Sequence, residues 1–406
     1  MRHKMESETS VNSRSQERFQ TKAVLLLSIS HFIHDVYSGF LSPLLPLLIE
    51  KLSLSLTRAG LLSTVMQIPS LLNPVIGLWA DRISMRWFII MAPSLTAVPM
   101  SLIGLAPSYA MLLILLLVTG VSVSLFHVPA PVMVAGVSGI HTGRGMSLYM
   151  TGGELARAVA PLAAIGAVTL LGLEGLYPLM VFGLASSLWL FIAFKDVPSR
   201  QSKTSAPLTL RDTWVEMRHI LLPLIAILVA RGFMHAALTT FLPTFINQQS
   251  GNLWLAGISL TLVETAGVAG VLSAGSLSDG FGRRRVLLFS LVGAPLMLLC
   301  FIWLDSWVRF GSLAITGFTL LSTTPVMLAI VQENSKNSPS TANGIFMMSS
   351  FMARSSVTVI VGFLGDLIGL KATFTLSAFL GLGGVPFILM LPQGNIKGRG
   401  DRRIKR

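Results

Sequence analysis

The sequence predicts an all-α membrane protein in which twelve transmembrane helices form two pseudo-symmetric six-helix bundles. Its composition, its apolar runs and an internal repeat predict this class. Of 406 residues, 52% are hydrophobic and only 12% are charged, whereas roughly a quarter of the residues in a soluble domain are charged. So few charges cannot cover the surface of a soluble protein of this length, which excludes an ordinary cytosolic enzyme.

The apolar residues form twelve runs, each close to the roughly 20 residues that a membrane helix needs. Most connections between the runs are only a few residues long, so neighbouring helices should be antiparallel. The runs do not alternate between apolar and polar residues, which argues against a β-barrel. They cover residues 22–49, 58–80, 86–106, 109–136, 145–172, 175–194, 219–247, 254–278, 286–304, 308–332, 342–368 and 371–391.

Polar segments divide the chain into two halves. Residues 1–21 predict a disordered cytoplasmic tail and not a signal peptide, because the apolar run that follows is too long and lacks a cleavage site. Residues 195–218 predict a cytoplasmic linker between a bundle at 22–194 and a second bundle at 219–391. Residues 392–406 form a basic cytoplasmic tail.

The basic residues predict the orientation. With the N-terminus inside, 23 of the 30 Lys and Arg lie in cytoplasmic segments, 4 lie outside and 3 lie within helices. Such a bias predicts that both termini are cytoplasmic. The net charge of +13 then reflects topology and attraction to anionic lipids, and no nucleic-acid partner is expected. A single chain would contain both bundles and everything enclosed between them, so we expect a functional monomer.

An internal repeat relates the two halves. Arg157 recurs as Arg354 at an offset of 197 residues, and the loop 77–86 recurs as 275–285 at an offset of 198. Each loop has a Gly, an Asp four residues later and a basic cluster, which predicts a charge latch that holds one conformation. The predicted latch residues are Gly77, Asp81, Arg82, Arg86, Gly275, Asp279, Arg283 and Arg284. The glycines would allow close helix contact, and the repeats would enclose a central cavity.

These two loops resemble the signature loop of the major facilitator superfamily, although Ser84 stands where that family favours Gly. Other motifs are similar to those of its fosmidomycin-resistance group: S-H-F-I-H-D at 30–35, L-F-H at 125–127, G-M-S-L-Y-M-T-G-G at 145–153 and Q-E-N at 332–334. The resemblance implies a bacterial inner-membrane transporter that works by alternating access, and drug/proton antiport. His34, Val128 and Ala160 depart from the group's pattern.

Ionisable residues inside membrane helices are costly and mark candidate sites. Asp35 lies about 20 Å along its helix from Lys22, and His31 shares its face at i−4. A carboxylate beside an imidazole can carry a proton, although the two could also form a static pair. His34, turned about 100° away in a helix, is expected apart from them.

The remaining intramembrane charges extend this set. The predicted proton-coupling residues are Asp35, His31, Glu154 and Glu264, and the predicted substrate-binding residues are Arg157, Arg231, His235, Arg354, His34 and His127. Arginine suits bidentate capture of phosphate, phosphonate or carboxylate. Glu154 and Arg157 could equally be a structural pair, and Pro129 and Pro131 predict that His127 lies at a helix kink.

The sequence therefore predicts a secondary transporter that exports a small amphipathic or anionic compound, coupled to protons. Ala160, where antiporters have Gly, leaves open a symporter that imports an organic anion or sugar. A receptor and an intramembrane enzyme are remote alternatives, because no catalytic motif occurs and His31 with Asp35 offers too few ligands for zinc. No enzyme activity, cofactor or metal is expected. The sequence has no P-loop pattern, so ATP-driven transport by this chain is not expected either.

Overall fold

A computed structural model describes residues 19–73, 76, 86–138, 142–194, 210–304, 307–335 and 339–392. Every regular element in these ranges is a helix. The α-helices are α1 Thr21–Ser38, α2 Leu41–Leu52, α3 Leu56–Gln67, α4 Arg86–Leu102, α5 Tyr109–His127, α6 Pro129–Ser138, α7 Thr142–Leu171, α8 Met180–Ala193, α9 Leu210–Ala236, α10 Leu242–Ser250, α11 Leu253–Phe281, α12 Arg283–Trp303, α13 Val308–Asn334, α14 Pro339–Leu382 and α15 Val385–Met390. The all-α prediction is confirmed.

Ten helical stretches within the described residues are long and apolar enough to cross a membrane. One of them, Gly344–Met390, contains Gly369 at φ +78°, where the backbone leaves helical geometry and separates two of the predicted segments. The predicted second segment is described as α3 and a short 3₁₀ turn, Ile68–Leu72, before residues outside the described ranges. The ten stretches are therefore consistent with twelve crossings.

The chain forms two compact units, Met1–Leu41 with Ile68–Thr204, and Ser42–Gln67 with Ser205–Arg406. The sequence placed the segment 42–67 in the first bundle, whereas its contacts place it in the second unit. Most of the two predicted tails and of the linker lies outside the described residues.

In the first unit, α1 packs against α7 through glycine. A Cβ on Gly152 would collide with the carbonyl oxygen of Ser28, so only a residue without a side chain allows this approach. Around this contact lies a buried apolar core that includes Leu27, Phe126 and Tyr149. The core thus brings α1, α5 and α7 together at one level of the bundle.

Proline separates α5 from α6. Helix α5 ends at His127, and α6 begins at Pro129. Proline has no N–H to donate to the carbonyl four residues earlier, and its ring crowds the preceding turn, which ends a helix. The predicted kink is therefore a break between two helices, with His127 as the last residue of α5.

In the second unit, Asp366 caps the first turn of α3. Its carboxylate accepts hydrogen bonds from the backbone N–H groups of Leu56, at 2.7 Å, and Thr57, at 2.8 Å. These are the groups that have no partner within a helix, and the negative charge lies at the positive end of the helix dipole. Close packing continues at Gly60, where a Cβ would lie 2.8 Å from the carbonyl oxygen of Thr358.

We expect Asp366→Ala to lower the free energy of unfolding by about 1 kcal/mol, because it removes a cap from an accessible helix end. Thermal unfolding in detergent measures the effect. Glu50→Ala, at the exposed C-terminal end of α2, is the matched control and should change stability little. Equal stability of the two variants would contradict the capping role.

Candidate functional site

A buried carboxylate surrounded by three imidazoles forms the centre of the first unit. Asp35 and His31 lie one turn apart on α1, with His31 Nε2 3.2 Å from Asp35 Oδ2. His34 Nδ1 lies 2.9 Å from Asp35 Oδ1, and His127 Nε2 at the end of α5 lies 3.4 Å from the same oxygen. His31, His34 and Asp35 are buried, whereas the side chain of His127 is 37% exposed.

Backbone carbonyls fix the tautomers of two of these rings. His31 Nδ1 donates to the carbonyl oxygen of Tyr149 at 2.9 Å, and His127 Nδ1 donates to that of Val123 at 3.0 Å. Because a carbonyl can only accept, the Nδ1 atoms carry hydrogen. Each Nε2 atom therefore faces Asp35 either as a second N–H or as a lone pair. A lone pair facing a carboxylate is repulsive, whereas an N–H would donate to it.

Two of these contacts were not predicted from the sequence. His34 was expected to lie apart from Asp35, and this is wrong, because its ring folds back onto the neighbouring carboxylate. It is fully buried and stacks on Phe126, with ring centroids 4.5 Å apart. His127 was considered mainly as part of a kink. The break at Pro129 leaves it at a helix end, where it reaches Asp35.

The position of His31 depends on the small residue opposite it. The ring stacks on Tyr149 with centroids 4.1 Å apart. A Cβ on Gly153 would lie 2.5 Å from His31 Nε2. Gly153 therefore provides the space in which His31 contacts both Asp35 and the carbonyl of Tyr149.

Three donors of this cluster could also hold a metal ion. One ligand atom each from His31, Asp35 and His127 lie within 4.8 Å of one another. The sequence supplied only the two donors on α1, and the third comes from α5 through tertiary packing.

Glu154 and Arg157 form the predicted ion pair on α7. Glu154 is buried, whereas the Arg157 side chain is 44% exposed. The charge of Arg157 also acts on His127, which itself contacts Asp35.

The second unit holds a buried guanidinium. Arg231 on α9 is only 4% exposed. Its Nη1 donates to the Thr324 hydroxyl at 3.0 Å and its Nη2 to the Leu320 carbonyl at 3.3 Å, both on α13. Its Nε–H has no partner among the residues that the structure describes. No carboxylate lies within ion-pair distance of Arg231 in the described part of the chain. Since buried charges are normally paired, an anion would complete its coordination.

The other predicted residues of this unit lie on α9, α11 and α14. The charge of Arg354 acts on Arg231, so two cations share one electrostatic environment. His235 Nδ1 lies 3.3 Å from the Thr239 hydroxyl, next to a π-helical turn, Ala237–Phe241. Glu264 is buried on α11.

The second copy of the predicted latch forms an ion network. Arg283 Nη2 lies 2.6 Å from Asp279 and 2.9 Å from Glu333 on α13. Arg284 follows it at the start of α12. The expectation of close helix contact at Gly275 is wrong for the described residues, since a Cβ there would meet nothing within 4 Å. In the first copy, Gly77, Asp81 and Arg82 lie outside the described residues, and Arg86 begins α4.

Comparison with known families agrees with this architecture. The model of the Major Facilitator Superfamily matches residues 27–353 and 255–403. The chain belongs to the major facilitator superfamily. Its fold and family are therefore those of membrane transporters.

Among sequence relatives of this superfamily member, the "Fosmidomycin resistance protein" of Escherichia coli (strain K12) is 25% identical over 382 residues, covering 91% of this chain and 93% of the relative. The "Uncharacterized MFS-type transporter YfnC" of Bacillus subtilis (strain 168) is 24% identical over 379 residues, covering 90% and 92%. The predicted resemblance to the fosmidomycin-resistance group is confirmed.

Solved structures show the same fold at low identity. The nucleoside transporter NupG, in a mutant form, matches with a TM-score of 0.76 at 14% identity, covering 91% of this chain and 100% of that one. A D-xylose-proton symporter matches with a TM-score of 0.74 at 14% identity, covering 94% and 100%.

We expect Gly153→Ala to destabilise the protein by about 1–3 kcal/mol, because the added methyl group overlaps the His31 ring in a packed core. The measurement is thermal unfolding in detergent. Gly311→Ala on α13 is the control, since a Cβ there would meet nothing within 4 Å. It should be neutral or raise stability by up to about 1 kcal/mol through helix propensity. If both variants behave alike, Gly153 is not a packing constraint.

Proposed function

We propose that this protein is a proton-coupled secondary transporter that exports a small amphipathic or anionic organic compound by alternating access. It would lie in the inner membrane of a bacterium as a functional monomer with both termini in the cytoplasm. The observation that carries the proposal is the buried Asp35 with three imidazoles around it. Family membership supports transport, and this cluster supports proton coupling.

Asp35 and His31 form the proposed proton site. His31 Nε2 lies 3.2 Å from one Asp35 oxygen and His127 Nε2 lies 3.4 Å from the other, so a proton could pass between the carboxylate and either imidazole. The partial exposure of His127 offers a route for protons between solvent and Asp35. Glu154 and Glu264, buried in the first and second units, are further candidates for coupling.

The proposed anion-binding residue is Arg231. Its guanidinium is held in place by two hydrogen bonds to α13, and its Nε–H remains free to donate. Arg354 would add a second positive charge, and His235 would contribute a contact from the same unit. Arg157 and His127 are the candidates for substrate contacts in the first unit. His34 is kept as a partner of Asp35, because its full burial leaves no surface for a substrate.

The cytoplasmic latch is proposed to bias one conformation of the transport cycle. Arg283 bridges Asp279 and Glu333, so these charges join the end of α11 to the end of α13. The equivalent loop of the first half would do the same with Asp81 and Arg82.

Import by proton symport is the second candidate, since Ala160 replaces the Gly typical of antiporters. In this structure the Ala160 methyl group packs against Gly39, where a Cβ would lie 2.6 Å away. Counterflow of labelled organic anions and sugars, with and without a pH gradient, distinguishes the candidates. Accumulation of the labelled compound that follows protons in the same direction would support import by symport. Accumulation of the labelled compound in exchange for protons moving in the opposite direction would support export by antiport.

We expect Asp35→Asn to reduce substrate-driven proton movement to the level of empty liposomes, because an amide cannot carry the proton. A pH-sensitive dye in proteoliposomes measures it, with fosmidomycin as the first probe, since a relative is named for resistance to that compound. Glu50→Gln, at an exposed helix end, should behave as the wild type. Proton movement that survives Asp35→Asn unchanged would refute the coupling role.

We expect Arg231→Ala to weaken the binding of an anionic substrate about ten- to hundredfold, the usual value of a charge-assisted hydrogen bond. Arg231→Lys should recover part of it, because the charge returns without the planar fork. Concentration dependence of fosmidomycin transport gives the comparison. Arg309→Ala, which removes a contact with Gln249, is the control. An equal loss in both arginine-to-alanine variants would exclude a specific anion site.

A further inference from the structure

We infer that His31, Asp35 and His127 form a binding site for one divalent transition-metal cation of the zinc or cobalt type. The site goes beyond the proposed transport, since it concerns a ligand that need be neither the coupling ion nor the exported compound. Three independent features of the cluster lead to it: the donor spacing, the orientation of both imidazoles and the hydrogen bonding of the carboxylate.

The donor spacing matches tetrahedral coordination. Zinc binds imidazole nitrogen and carboxylate oxygen at about 2.0–2.2 Å, so two donors on a tetrahedral ion lie about 3.3 Å apart. His31 Nε2 is 3.2 Å from one Asp35 oxygen, and His127 Nε2 is 3.4 Å from the other. All three donor groups offer atoms within 4.8 Å of one another, so they lie close enough to share one ion.

Both imidazoles have the orientation typical of metal ligands. A ligating histidine nearly always donates its second ring N–H to a carbonyl or carboxylate, which fixes the tautomer and turns the other nitrogen to the metal. The backbone carbonyls of Tyr149 and Val123 accept those N–H groups here, so Nε2 is the coordinating atom in both rings. Neither ring has to change its tautomer or its backbone contact to bind a metal.

The carboxylate is also oriented from outside the cluster. His34 Nδ1 lies 2.9 Å from Asp35 Oδ1, which is the supporting hydrogen bond that ligating carboxylates usually receive. The guanidinium of Arg157 acts on His127, but Glu154 pairs with it and offsets its charge.

The donor set selects the class of metal. Two imidazoles and one carboxylate suit zinc, cobalt, nickel or iron, whereas magnesium and calcium prefer oxygen donors alone. Since only the His127 side chain is substantially exposed, a metal would enter from its side and keep a water molecule there as the fourth ligand.

Cobalt titration of the purified full-length protein in detergent tests the inference, because tetrahedral Co²⁺ has strong visible absorption. We expect one Co²⁺ per chain, displacement of that ion by Zn²⁺ and a rise in the melting temperature with either metal. Asp35→Asn and His127→Ala should each weaken binding at least about tenfold. His219→Ala, which removes an exposed histidine, should leave binding unchanged.

Elution volume and the melting temperature without metal verify that each variant is folded, and His127→Gln replaces His127→Ala if the latter is not. Absence of tetrahedral Co²⁺ absorption, or equal binding by the wild type, Asp35→Asn and the folded His127 variant, would overturn the metal site. No substrate or gradient enters this measurement. Failure of proton coupling with intact Co²⁺ binding would therefore refute the transport proposal alone, and the reverse result would refute only the metal site.

Discussion

The burial of one carboxylate governs the arrangement of the first unit. An isolated charge in a low-dielectric interior is very costly, so Asp35 needs positive charge or donors close by. His34 donates to it directly, and His31 and His127 direct Nε2 toward it. The Nδ1 atoms of His31 and His127 donate to backbone carbonyls, so the carboxylate is coupled through these two imidazoles to α7 and α5. Protonation of this cluster, or its occupation by a metal, changes a charge that three helices share.

Glycine makes this coupling geometrically possible. His31 occupies space that a side chain at position 153 would otherwise fill, and a side chain at position 152 would collide with the backbone of Ser28, between α1 and α7. A ring in a gap of this size has little rotational freedom, because core packing leaves few voids. The same close packing that forms the bundle therefore also sets the distances at the proposed proton site.

The two units differ in the charge chemistry that they bury. The first holds an acid among imidazoles, which are groups whose charge can change with protonation. The second holds Arg231, which keeps its charge and is satisfied only in part by a hydroxyl and a carbonyl. A titratable group and a permanent cation on separate bundles suit a transporter in which one ligand is a proton and the other is an anion.

The sequence by itself determined the fold class, the family and the residues worth examining. Apolar runs, the doubled loop and the bias of Lys and Arg are one-dimensional signals, and the pairs on one helix, His31 with Asp35 and Glu154 with Arg157, follow from helical spacing. Only the tertiary structure brought His127 to Asp35 and returned His34 to that carboxylate. It also left open space beside Gly275 among the described residues and grouped residues 42–67 with the second unit. The physical reason is that contacts between helices depend on where each helix ends, how it is rotated and how closely glycine lets it approach. Local periodicity in the sequence does not specify these quantities.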